Sequence, residues 1–159
     1  MKSLKWMMLF MAVATMPLLT SCDDKDNEGD VDVTGTYTGT ITALLDSSNA
    51  TAVVAATGNN YSLTLTDLRI SAMGFVIPIG DVTIANVKAS KGKLSGGETI
   101  SVEVTLPDDL AGMAEGATKI PLDVSLKSGI VSGKNLKFTL SISNVPVMGA
   151  VEVDFNGNK

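Results

Sequence analysis

From Val33 to Lys159 apolar and polar side chains alternate with a period of two. Ile100, Val102, Val104 and Leu106 alternate with Ser101, Glu103 and Thr105, and Ile120, Leu122, Val124 and Leu126 with Pro121, Asp123 and Ser125. Leu136, Phe138, Leu140 and Ile142 repeat the pattern, and Val151, Val153 and Phe155 close the series. Upstream, Tyr37, Gly39, Ile41 and Ala43 oppose a row of threonines at 36, 38, 40 and 42, and Tyr61, Leu63 and Leu65 oppose Ser62, Thr64 and Thr66. Residues two apart share a face of a strand, so each segment predicts a strand with one apolar and one polar face. Apolar runs at Ala50–Ala56 and Val82–Val87 bring the total to about eight strands. Turn signals separate them: "GNN" at 58–60, "KGK" at 91–93 and "SGK" at 132–134. No stretch sustains a 3.6-residue apolar period. The expectation is an all-β, antiparallel barrel of about eight strands, with a two-sheet sandwich as the alternative that gives the same alternation.

The chain before this domain has a different character. Residues 1–21 begin with Lys2 and Lys5 and continue into an apolar run from Met7 to Leu19. Thirteen residues of helix reach roughly 20 Å, short of the roughly 30 Å hydrocarbon core, so an export signal fits better than a spanning helix. Leu19, Thr20 and Ser21 precede Cys22, the one cysteine. This resembles the bacterial lipobox. The resemblance implies a thioether-linked diacylglycerol on Cys22, removal of 1–21 and an acylated N-terminus that holds the protein on a membrane. A core thiol is the competing reading, and the position between an apolar leader and an acidic stretch argues against it.

Residues 22–32 are read as the lipidated cysteine and a solvated tether, since "DDKDNEGDVD" has too little apolar surface to offset ordering. Asp24, Asp26, Glu28 and Gly29 mimic half of a calcium loop, but the twelfth position is Gly35 where a bidentate Glu is needed, so no metal is expected. Acidic residues directly after a lipidated cysteine also resemble the signal that sends some lipoproteins to the outer face of the outer membrane.

Charge and composition narrow the chemistry. With Lys2 and Lys5 removed, ten basic residues face seventeen acidic ones, a net charge of −7. Arg69 is the only arginine, so nucleic acid is not an expected partner. The chain has no histidine, and with Cys22 acylated it has no thiolate, which removes the usual nucleophile–base pairs and zinc sites. A catalytic carboxylate pair would draw on Asp81, Glu103, Asp108, Asp109 or Glu115. Asp108 and Asp109 are neighbours in a turn-like segment, and Glu103 alternates with apolar residues and should face water, so no enzyme activity and no cofactor are expected. Five aromatics remain after the leader, too few to argue for a glycan platform.

"GTYTGTI" at the first strand resembles the Gly-x-Trp opening of lipocalins, with Tyr37 in the tryptophan place. "IGDVTIANV", "SGIVSGKNLKFTLSISNVP" and a last strand ending in Gly157 are similar to the calycin-like domains of bacterial lipoproteins. The likeness covers roughly residues 33–157. It implies an eight-stranded up-and-down barrel on a lipid anchor at the cell envelope.

Such barrels are filled by side chains or hold one small ligand, and alternation does not distinguish the two. If hollow, the barrel would present Tyr37, Ile41, Leu63, Leu65, Val102, Val104, Phe138 and Leu140 to a small apolar or amphipathic ligand. Met73 and Phe75, in the weakly alternating segment "SAMGFVIPIG" at 71–80, would then line a lid, joined by Met113 in the loop at 108–117; a plug that seals the core is the plainer reading. Pro78 argues that this segment is no central strand. If filled, the barrel would act by its exterior, on an envelope protein partner.

Overall fold

The computed structural model describes residues 31–72, 74–113 and 118–159. The leader, Cys22 and the tether up to Asp30 lie outside the described residues, as do Met73 and Glu115. Val31–Lys159 is one compact unit.

Among the described residues there are nine strands and one short helix: β1 Gly35–Ala43, β2 Asp46–Thr57, β3 Asn60–Ala72, β4 Phe75–Ser90, β5 Lys93–Gly96, β6 Ile100–Thr105, α1 Asp108–Met113, β7 Lys119–Ser132, β8 Asn135–Val145 and β9 Gly149–Asn158. All pairings are antiparallel, in the order β5-β4-β3-β2-β1-β9-β8-β7-β6. A further pairing of β5 with β7 closes eight of the strands into a barrel and leaves β6 as an extra strand on β7. β6 continues the path of β5 after a break at Gly96 and Gly97, both at positive φ. Beyond that break the first half of β4 pairs only with β3. Pro78 sits there, opposite Arg69, where the outer edge of β4 needs no donor.

The expected alternation is the observed one. Inward residues of every barrel strand join a single apolar core, and no polar or charged residue is buried among those described. The 71–80 segment, expected as a lid or plug and as no central strand, is the tip of a long β3–β4 hairpin. This ribbon leaves β2 after Thr66, bends where the register shifts between Leu65 and Arg69, and buries Leu68, Ile70, Ile77 and Ile79 in the common core. The 108–117 loop begins with α1, whose amide groups at Leu110 and Ala111 donate to the Pro107 carbonyl and whose Leu110 and Ala111 side chains are buried. Asp108 and Asp109 suit its first turn, where the helix dipole favours negative charge.

Connections alternate between the two ends. The β2–β3, β4–β5 and β7–β8 turns, the entry at Val31 and the end at Lys159 gather at one end, called the base. The β1–β2, β3–β4, β6–β7 and β8–β9 connections gather at the other, the rim. Tyr37, in the tryptophan place of the opening motif, seals the base: its hydroxyl donates to the Val33 carbonyl at 2.8 Å, both residues are fully buried, and the Lys159 ammonium lies 5.3 Å from the ring centroid. Beside them Thr34 donates from its hydroxyl and its amide to Asp32, which holds that carboxyl below its ordinary range. That lowered value stabilises the fold at pH above the unfolded range, and the contribution fades as pH falls through the folded value.

Gly39 and Gly157 oppose each other across β1 and β9. A Cβ on Gly39 would lie 2.1 Å from the Asn156 carbonyl oxygen, and one on Gly157 would lie 2.5 Å from the Phe155 ring. The pair lets the two strands meet beneath the Phe138–Phe155 stack, whose ring centroids are 4.8 Å apart.

Two outcomes follow for urea unfolding of the barrel domain. Tyr37→Phe leaves the Val33 carbonyl without its donor in a dry site and is expected to cost about 1 to 2 kcal/mol. Gly39→Ala forces backbone apart at a strand pairing and is expected to cost about 3 kcal/mol, beyond what an ordinary surface change does.

Candidate functional site

The side chains named for an interior ligand are brought together, but against one another. Tyr37, Ile41, Leu63, Leu65, Val104, Phe138 and Leu140 retain between 0 and 3 % of their surface. A cavity of ligand size between them would leave much more area exposed on its walls, so these seven side chains pack against one another. Phe75 and Val102 are half-buried against the core, Val102 on the extra strand. Met73 and the lipid attachment at Cys22 lie outside the described residues. Asp81 and Asp108 are exposed, on β4 and at the start of α1, and no group of three His, Cys, Asp or Glu side chains among the described residues is placed to hold a metal ion.

Where the β3–β4 ribbon leaves β2, an opening of about 190 Å³ is lined by Ile41, Ala43, Ser47, Arg69, Ser71 and Val76. Arg69 is tied there to Asp67 by two guanidinium bonds of 3.1 and 3.0 Å. On the opposite wall a groove of about 480 Å³ crosses β5, β7, β8 and β9. Its walls are the outward side chains Lys93, Ser128, Ile130, Lys137, Asp154 and Asn156, over a floor at Gly129, Phe138 and Phe155. A bulge between Leu126 and Ser128 shapes it. The Asp154 carboxylate accepts from the Thr139 hydroxyl at 2.6 Å.

The rim carries a different feature. Five large apolar side chains stand exposed on or beside its connections: Leu44, Leu45, Val76, Met113 and Val147, with Leu45 at 99 %. Two of them hold backbone conformations that L-residues avoid. Leu44 opens the two-residue β1–β2 turn at φ +59°, a position that such hairpins give to glycine or asparagine. Val147 follows Pro146 in a β-turn closed by the Met148 amide on the Val145 carbonyl, and its φ is +69°, where a β-branched residue is strained. Left-handed backbone costs an L-residue roughly 1 to 2 kcal/mol, and neither exposed side chain recovers that by burial. The cation-bearing side chains near the rim are engaged, Arg69 by Asp67 and Lys119 by Glu103, so Asp46, Asp108 and Asp109 leave the apolar tips with an acidic surround.

Of these rim residues sequence reading singled out Met113, as a lid contact, and not Leu44, Leu45 or Val147. The available signal was an aliphatic pair, "ALLD" at 43–46, at a turn between two alternating segments, where turn chemistry asks for glycine or asparagine. Tyr37 and Phe138, by contrast, were identified as inward from periodicity alone. The aromatics supply no open platform, because Tyr37, Phe138 and Phe155 are buried and Tyr61 and Phe75 are half-buried.

Comparison with known proteins agrees with this architecture. The family model described as "Calycin-like beta-barrel domain" matches residues 31–158, the whole of the barrel from the segment that seals its base to the last strand. No curated protein and no solved structure matches the chain. With the closed eight-stranded wall and the match across it, the chain belongs to the family of calycin-like β-barrel domains.

Proposed function

We propose that this protein is a non-catalytic lipoprotein of the cell envelope, held by an acylated Cys22, whose filled barrel presents the apolar rim to an envelope protein partner. The observation that carries the reading is the pair of exposed aliphatics, Leu44 and Val147, kept at positive φ. Strain of this kind persists where a side chain is used, and here the side chains are offered to solvent. The filled interior supports an exterior role. The partner surface is expected to combine an apolar pocket with basic residues around it, matching Leu45 and its acidic surround. Anchoring rests on the lipobox-like Leu19-Thr20-Ser21-Cys22 and the leader before it. An interior carrier role has one observation in its favour, the opening beside Ile41. At about 190 Å³ it falls below the roughly 300 Å³ at which small-molecule sites begin.

Three measurements check this. Val147→Gly is expected to raise stability by about 1 kcal/mol in urea unfolding, because it removes the left-handed penalty. In whole cells a photo-crosslinking residue at Leu45 should give a discrete protein adduct that the same residue at Thr40, on the barrel wall, does not give; equal patterns would count against a rim interface. Native mass spectrometry of the barrel domain from envelope extract should show the bare protein mass. A reproducible added mass lost on denaturation would restore the carrier reading.

A further inference from the structure

Charge is sorted along the barrel axis in a way that the net charge hides. Six of the eight lysines in Val31–Lys159, namely Lys88, Lys91, Lys93, Lys134, Lys137 and Lys159, lie at the base, on its turns and terminus or within three residues of them. All six are exposed. By the same measure Asp32 is the one acidic side chain at that end among the described residues, and it is already engaged by Thr34. The rim has the reverse balance, with Asp46, Glu103, Asp108 and Asp109 against Lys119. A protein of acidic composition therefore carries one basic end.

That end also carries apolar surface. Lys93 pairs with Ile130 and Ile130 with Lys137, so the three form one outward row across β5, β7 and β8. Strand spacing sets the two lysine backbones about 10 Å apart, with Ile130, 46 % exposed, between them. The row forms the lip of the 480 Å³ groove, whose remaining outward side chains are Ser128, Thr139, Asn156 and one carboxylate, Asp154, which accepts from the Thr139 hydroxyl. Val31, 37 % exposed, adds a second aliphatic at the chain entry, near Gly92.

We propose that the base of the barrel is a docking face for an anionic lipid headgroup layer, with the Lys93–Ile130–Lys137 row and its groove taking a phosphate-bearing headgroup. Ammonium groups flanking an aliphatic fit the boundary where phosphates meet acyl chains, and a cluster of lysines beside an anchor point adds about fivefold in membrane affinity per lysine. The inference rests on the anchored reading. Val31 follows Cys22 by nine residues, so an acylated Cys22 would keep the base within about 30 Å of the bilayer. The five acidic residues between Asp23 and Asp30 oppose this attraction, so the tether has to be present when it is measured.

The test uses residues 23–159, tether included and acyl group absent, sedimented with phosphatidylcholine vesicles made with and without phosphatidylglycerol. Partition is expected only onto the vesicles with phosphatidylglycerol and is expected to weaken as salt rises. Lys93→Gln and Lys137→Gln should each lower it about fivefold, and Lys119→Gln at the rim should leave it unchanged. No partition at low salt, equal partition onto both kinds of vesicle, or base variants no weaker than Lys119→Gln would each overturn the proposal. Acylation is read separately, from the mass of the mature protein. An unmodified Cys22 would remove the anchored reading while the vesicle result still decides whether the base binds anionic lipid.

Discussion

Two residue pairs, Lys93 with Ile130 and Leu94 with Gly129, turn a nine-stranded sheet into a closed wall. Everything else in the domain depends on that closure. Without it, β5 and the second half of β7 would be free edges, and inward rows of aliphatics would face water. The seam is short because β5 has four residues, the last of them Gly96, and Gly96 and Gly97 break the path into β6. It is also tight. A Cβ on Gly129 would stand 3.0 Å from the Leu94 Cβ and 3.2 Å from the Phe138 Cβ, so the glycine allows β5 to approach β7 there.

Closure fixes how much can fit inside. Medium aliphatics from all the strands, the stacked Phe138 and Phe155, and Tyr37 at the base occupy the interior, while the hairpin tip and α1 contribute their own buried side chains at the rim. Glycine at 39 and 157 is the counterpart of the bulky rings beside it: space is given up on one strand pair so that aromatic volume can be used on the next. On the outer surface the two ends of the barrel are chemically unlike. One end gathers lysines and two aliphatics, and the other presents apolar turn tips with carboxylates around them. An axis with unlike ends suits a molecule placed between two different surfaces.

The elements that were legible in advance were the ones whose signal is local. Ile120 to Leu126 and Leu136 to Ile142 state their strands, their inward faces and their membership of one core by alternation alone. α1 was missed because six residues make less than two turns, too few for a 3.6-residue period to show, and only Leu110 and Ala111 point inward. Sequence places the 71–80 segment outside the central strands, and its pairing within a hairpin was not legible for a related reason. Its alternation is broken by Gly74 and Pro78, and the ribbon it forms has a neighbour on one side only, where proline is tolerated. Gly96 and Gly97, which were not among the turn signals, divide β5 from β6 and so decide where the wall closes.

The sequence by itself determined the fold class, the inward and outward faces of most strands and the absence of histidine and free-thiolate chemistry after Cys22, because a period of two and a composition are properties of neighbours along the chain. Tertiary structure decided whether the interior is hollow or filled, since that depends on the shear and closure of the wall and not on which side chains point inward. It also decided where charge collects. Lys88 to Lys93, Lys134 to Lys137 and Lys159 are scattered over seventy residues of an acidic chain, and only antiparallel strands of matched length, turning back at one end, bring them to the same face.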